Sequence, residues 1–140
     1  QMIQGFGVAS DQALIMSQNL TQLAYDLASV FNVDVETAMQ KLESGMSGQV
    51  KGLRVYGIET SVAALKEYAL QKGITKSYTS WTMAEKALVR YNLIMERTTN
   101  IQNDFVRTIN TPANALRTSA SNLFHSALYV SRKTFSLESL

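Results

Sequence analysis

Apolar side chains recur at helical spacing along the first thirty residues of the chain. The stripe consists of Ala13, Met16, Leu20, Leu23, Leu27 and Val30. These positions fall alternately three and four residues apart, which is the a/d pattern of a helix that buries one stripe. Ala24 and Phe31 widen the stripe on one side. The pattern predicts a helix over residues 10–32, with Ser10 as its N-cap and Asp11 in its first turn.

Four glycines divide the chain between residues 45 and 57. A second helix is predicted to begin after Asp34, a favourable N-cap, and to end at Gly45. A short third helix is predicted over residues 49–56, before Gly57. Because glycine adopts positive φ at low cost, we expect this region to form the corner between the first helix pair and the next.

A fourth helix is predicted over residues 60–72. Thr60 or Ser61 is suited to cap its start, and Gly73 is suited to end it. Its inner face is expected to contain Val62, Leu65 and Ala69.

The longest predicted helix covers residues 83–110. Thr82 and Glu85 form a capping-box pattern at its start. Apolar residues at heptad spacing give it a broad buried face, typical of a globular helical bundle. Pro112 then predicts a kink and a new helix, whose apolar stripe continues toward the end of the chain.

These patterns predict an all-α fold: a helical bundle or set of helical hairpins, forming one domain over residues 1–140. A single proline, seven glycines and 46% hydrophobic residues agree with a globular helical chain. No convincing strand pattern is present. The side chains expected to form the core, or a seam between copies, are Met16, Leu20, Leu23, Leu27, Val30, Leu88, Tyr91, Ile94, Ile101, Phe105, Leu116 and Leu123.

The charge is distributed unevenly, although its total is only +2. Residues 1–50 carry five acids and one base, whereas residues 51–140 carry twelve bases and six acids. Ordinary solvated surfaces are the commoner explanation of such a split. The alternative is attraction between the two parts or between neighbouring copies. A net charge this small does not predict nucleic-acid binding.

No residue pattern in the chain predicts catalysis, a cofactor or a metal. There is no cysteine, and His125 is the single histidine, so a site of several His or Cys ligands is excluded. Gly45 and Gly48 precede Lys51, but the motif and the strand of a phosphate-binding loop are both lacking. We therefore expect a protein that is not an enzyme.

Two further segments have alternative interpretations. Trp81, with Tyr78, is expected to pack on a neighbouring helix, and stacking on a sugar or a base is the alternative. Residues 118–131 carry no formal charge. This stretch is expected to be buried against a second copy or against sequence outside the chain, and the alternative is an interfacial membrane helix. It is too short to cross a bilayer by itself.

The order of several segments resembles one family over residues 13–117. The residues that carry the resemblance are LTQLAYDLASVFN at 20–32, LRVYGI at 53–58, EKALVRY at 85–91 and DFVRT at 104–108. Together they resemble the folded helical region in the N-terminal part of phage tail tape measure proteins. The chain departs from the family pattern after Arg117.

The resemblance implies a structural protein that lies in the lumen of the tail tube and helps to set its length. It implies tail-tube, tail-tip and tail-chaperone proteins as partners. The apolar stripes of the first and last helices and the uneven charge predict in addition that the chain associates with itself as a small oligomer. It also implies location in the virion tail, and in the host cytoplasm during assembly. The chain begins with Gln1 and is expected to be an excerpt of a longer protein. Contact with a membrane is expected only through segments outside it. The alternatives are a membrane-active helical domain and a general helical protein-binding module.

Overall fold

The computed structural model describes residues 7–102 and contains five α-helices in that range. They are α1 (Ser10–Phe31), α2 (Val35–Met46), α3 (Lys51–Arg54), α4 (Val62–Gln71) and α5 (Met83–Arg97). A 3₁₀ turn, Tyr78–Ser80, precedes α5. Helices account for 69% of the described residues, and no strand occurs among them. The predicted all-α fold is confirmed.

The helix α1 occupies nearly the predicted range, but its N-cap lies one residue earlier than predicted. Ala9 is the N-cap, because the N–H of Ala13 donates to the Ala9 carbonyl at 2.8 Å. Ser10 therefore lies inside the helix, and its predicted role as the cap was wrong. The helix ends at Asn32, which adopts the left-handed conformation with φ 54°. The chain reverses direction between Asn32 and Asp34, and α2 packs against α1.

The end of α2 corrects the role predicted for Gly45. The helix continues to Met46, and the chain turns at Gly48 with φ +106°. A Cβ atom built on Gly45 would lie 2.2 Å from Leu53 Cδ1. Gly45 is thus a point of close approach between α2 and α3, and its missing side chain serves packing.

The helix α3 is shorter than the predicted 49–56, and a turn with φ +78° at Gly57 follows it. In α4 the hydroxyl of Ser61 accepts a hydrogen bond from the Ala64 N–H at 3.3 Å, as expected of an N-cap. Gly73, with φ +82°, follows the helix.

The buried stripe of α4 differs from the predicted one at its first turn. Leu65 and Ala69 are buried, as predicted, but Val62 is 46% exposed. Tyr68, at helical spacing from Leu65, takes the third buried place. The predicted inner position of Val62 was therefore wrong.

The helix α5 begins with the predicted capping box but ends far earlier than residue 110. The Glu85 N–H donates to Thr82 Oγ1 at 3.1 Å, and the Thr82 N–H donates to Glu85 Oε1 at 2.9 Å. The last helical residue is Arg97. Thr98 Oγ1 then donates to the carbonyl of Ile94 at 2.7 Å, and turns follow through residue 102. A continuous helix over 83–110 was therefore wrong at Thr98, and residues 103–110 lie outside the described residues.

Candidate functional site

The predicted seam residues of α1 form the centre of the core of one copy. Met16, Leu20, Leu23 and Leu27 have no exposed surface. Val30, at the end of the same stripe, is 43% exposed and stands outside the core. The α1 stripe is thus used within a single chain and is not available as a surface between copies.

The seam residues of the later part of the chain are divided among several environments. Tyr91 and Ile94 are buried, whereas Leu88 and Ile101 are partly buried and pack against the core. Phe105, Leu116 and Leu123 lie outside the described residues, as does His125.

Three polar side chains of α1 are buried although they do not belong to the predicted apolar stripe. They are Asn19, Gln22 and Asp26. Asn19 Nδ2 donates to the Tyr91 hydroxyl at 2.7 Å, a buried contact that joins α1 to α5. The side-chain nitrogen and oxygen of Gln22 have no hydrogen-bond partner within residues 7–102. No local pattern signals this burial, because polar residues beside an apolar stripe are usually solvated.

A network of charged and aromatic groups joins α4 to the end of α5. The Tyr68 hydroxyl donates to Glu96 Oε2, and Lys72 Nζ lies 2.8 Å from the same oxygen. Burial raises the pKa of Glu96, but the hydrogen bonds from Lys72 and Tyr68 outweigh it, so the net pKa is lowered. Burial, together with the Glu96 charge, raises the pKa of Tyr68. The network is suited to holding two helices together rather than to proton transfer, since the phenol stays protonated near neutral pH.

The segment between α4 and α5 is held by two contacts of Lys76. The indole Nε1 of Trp81 donates to the Lys76 carbonyl at 3.0 Å, and Lys76 Nζ lies 2.8 Å from Glu85 Oε1. The Lys76 hydrogen bond and that from the Thr82 backbone lower the pKa of Glu85. The ring of Trp81 is 6% exposed and contacts the ring of Tyr78 at a centroid distance of 5.0 Å. Burial of Trp81 confirms the packing role predicted for it.

This arrangement creates an open groove of about 280 Å³ between α4 and the 3₁₀ turn, which we call the lysine–aromatic groove. Its buried wall consists of Ala69, Ile74 and Trp81. Its outer wall includes Leu70, which is 69% exposed, together with Lys66 and Tyr78. The groove combines an apolar interior with lysines in its wall, and it is a candidate for binding in the described part of the chain.

Neither a cluster of metal-ligating side chains nor a membrane-spanning helix occurs among the described residues. Within residues 7–102, no three acidic or histidine side chains are placed to hold a metal ion together. In the same range, every helix is too short or too polar to cross a bilayer.

Comparison of the chain with protein-family models, with curated protein sequences and with solved structures found no match in any of the three.

Proposed function

We propose that this chain is a helical scaffold domain of a phage tail tape measure protein. In this role it lies in the lumen of the tail tube and takes part in setting tube length. The proposal rests on the resemblance over residues 13–117 and on the all-α fold, which is the architecture that such a domain requires. Its proposed partners are tail-tube, tail-tip and tail-chaperone proteins, and its proposed location is the virion tail after assembly in the host cytoplasm.

The single observation that supports the proposal best is that residues of the resembling segments make contacts between helices. Leu53 packs into the space left by Gly45, and Arg90 Nη1 donates to the Met46 carbonyl at 3.3 Å. Tyr91 accepts the buried hydrogen bond from Asn19. The contact of Leu53 joins the consecutive helices α2 and α3, whereas Arg90 and Tyr91 connect α5 to helices that are distant in sequence. None of the three is arranged as a nucleophile, acid or base. A pattern that specifies packing agrees with an assembly role better than with an enzymatic one.

Tail length tests the proposal, because a protein that measures the tail tube should give shorter tails when it is itself shortened. An in-frame deletion of about 60 residues from a helical region outside residues 1–140 is expected to shorten the tail by about 90 Å, since an α-helix rises about 1.5 Å per residue. Electron micrographs of purified particles measure this change. Tails of unchanged length would rule out the measuring role.

The contribution of this domain is tested separately by paired substitutions in α1. Leu23→Asp places a charge in the fully buried core, whereas Leu14→Asp changes a side chain that is 45% exposed on the same helix. We expect Leu23→Asp to abolish or strongly reduce complete tails, and Leu14→Asp to leave them normal. Normal tails with Leu23→Asp would show that tail assembly does not depend on this domain.

A membrane-active helical domain remains the second candidate, because residues 118–131 carry no formal charge. That stretch lies outside the described residues. Co-sedimentation with liposomes separates the two candidates, since a scaffold domain is expected to stay in the supernatant. A general helical binding module is distinguished by tail assembly, which it would leave unaffected.

A further inference from the structure

We infer that the lysine–aromatic groove binds an acidic peptide segment of a partner protein, with one bulky apolar side chain of that segment seated between α4 and the 3₁₀ turn. This inference is independent of the tape measure proposal, because it depends only on the described residues around Trp81.

The interior of the groove accounts for the apolar side chain. Ala69, Ile74 and Trp81 form a buried wall, and Leu70 stands beside them with 69% of its surface exposed. An isolated Leu this exposed needs no explanation, but one at the edge of an apolar groove provides surface that a ligand can cover. The volume of about 280 Å³ lies below the usual range for cofactors and suits one or two side chains. Anchoring by a single large side chain is the common way in which a peptide fills such a space.

The edges of the groove account for the acidic flanks. Lys66 lines the groove, and its Nζ lies 5.9 Å from the centre of the Tyr78 ring. Lys86 does not line the groove, but its Nζ lies 4.7 Å from the centre of the same ring. Neither ammonium group forms an ion pair within residues 7–102, whereas Lys76 is paired with Glu85. Two lysines without an ion pair in that range therefore lie next to Tyr78, which forms part of the outer wall of the groove. A ligand with carboxylates next to its apolar anchor complements these lysines, whereas a ligand with positive charges there would be repelled.

The same geometry favours a peptide over a nucleic acid. Binding of single strands relies on aromatic faces that are free to stack on bases. Trp81 is only 6% exposed, and the Tyr78 ring contacts Trp81 and both lysines. The aromatic rings thus complete the groove wall and leave no open stacking platform.

The chain contains one tryptophan, and its position in the groove provides a direct readout. The probe is a peptide in which a phenylalanine–leucine pair is flanked on each side by three glutamates. It is titrated against the 140-residue chain while the emission of Trp81 is recorded. We expect a saturable change in emission, and an affinity that falls as salt is raised, since exposed charge pairs are screened.

Matched peptides and a matched oligonucleotide define the specificity. The control peptides replace the glutamates with lysines, or the phenylalanine–leucine pair with serine and glycine. An oligothymidine of similar length serves as the nucleic-acid arm. We expect all three to bind at least about tenfold more weakly than the acidic probe.

Substitutions locate the site. The double variant Lys66→Glu with Lys86→Glu is expected to weaken the acidic probe at least about tenfold, and Leu70→Ser to weaken it several-fold. Lys51→Glu is the matched control, because Lys51 is an exposed lysine outside the groove, and it is expected to change affinity less than about twofold. Circular dichroism of each variant verifies that the helices are retained.

Several results would overturn the inference. One is an emission of Trp81 that does not change with the acidic probe up to about 1 mM. Others are equal or tighter binding of oligothymidine, and equal weakening by Lys51→Glu. A Trp81 emission that shifts with protein concentration alone, and is then insensitive to the probe, would show that a second copy occupies the groove instead.

Discussion

At the scale of single residues, the absence of a side chain at Gly45 sets how closely α2 and α3 approach. Gly45→Ala would place a Cβ 2.2 Å from Leu53 Cδ1, and Leu53 has no exposed surface into which it can move. Gly52→Ala is the matched control, because its Cβ would lie 3.3 Å from Lys41 Cγ, a much milder contact than that of Gly45 with Leu53. Both changes gain helix propensity, so we expect Gly45→Ala to be less stable than Gly52→Ala by about 1–3 kcal/mol.

Urea unfolding of the two variants measures that difference. In a Leu53→Ala background the clash is removed, so the penalty of Gly45→Ala is expected to shrink. Equal stability of the two single variants would mean that α3 moves away from α2 at little cost.

The acid stability of the molecule depends in part on Glu96. Its pKa is lowered in the folded state, so its contribution to stability is present above the ordinary value of 4.5 and is lost as pH falls through the lower folded value. Glu96→Gln is expected to reduce the loss of stability on acidification below about pH 4.5. Glu67→Gln, at an exposed residue with no ion pair in the described range, serves as control. Thermal melts of each variant at neutral and acid pH test this, and an acid slope unaffected by Glu96→Gln would refute it.

At the scale of elements, α1 is the helix around which the described core is built. Leu23 is fully buried, and its truncation to Ala is expected to cost about 2–5 kcal/mol, because it removes apolar burial and leaves a cavity. Leu14→Ala makes the same chemical change on the same helix at 45% exposure and is expected to cost less than about 1 kcal/mol. Denaturant midpoints compare the two. Similar losses would contradict the assignment of the buried face.

The start of α5 depends on a reciprocal pair of hydrogen bonds between Thr82 and Glu85. Thr82→Ala removes the side-chain acceptor of the Glu85 N–H and is expected to cost about 0.5–2 kcal/mol. Thr79→Ala, in the exposed 3₁₀ turn, removes only a surface hydroxyl contact and is expected to be nearly neutral. Chemical denaturation distinguishes them. A neutral Thr82→Ala would show that the ion pair of Lys76 with Glu85 holds this helix start without the cap.

At the scale of the whole molecule, self-association of the chain remains a prediction. The apolar stripe of α1 no longer supports it. The α1 stripe is buried within one copy, so an interface must use other apolar surface. Exposed candidates near one corner are Val30, Phe31 and Val55; Phe31 contacts the Tyr56 ring at 4.9 Å. Exposed charge pairs contribute only a few tenths of a kcal/mol each, so apolar burial must supply most of the affinity.

We expect a small oligomer, a trimer or a hexamer if the tape measure resemblance holds, that persists at moderate salt. Light scattering over a concentration series measures its mass against the 15.5 kDa of one chain. A strict monomer at about 100 μM would place any oligomerisation in sequence outside this chain.

Features that depend on neighbours in sequence could be predicted from the chain itself. The range of α1, the start of α2 after Asp34 and the capping box of α5 follow from spacings of three or four residues, which a helix brings onto one face or into one turn. The burial of the α1 leucines follows from the same periodicity.

Features that depend on residues far apart in the chain were decided by the tertiary structure. Gly45 was predicted to end α2, but it lies inside that helix, where the lack of a side chain makes room for Leu53. The periodicity past Thr98 predicted a longer α5, because an apolar pattern does not reveal that a buried threonine hydroxyl bonds to the last turn. The contact of Asn19 with Tyr91 spans 72 residues. The lysine–aromatic groove likewise forms only when α4 and the 3₁₀ turn before α5 are brought together, since no single stretch of sequence contains both of its walls.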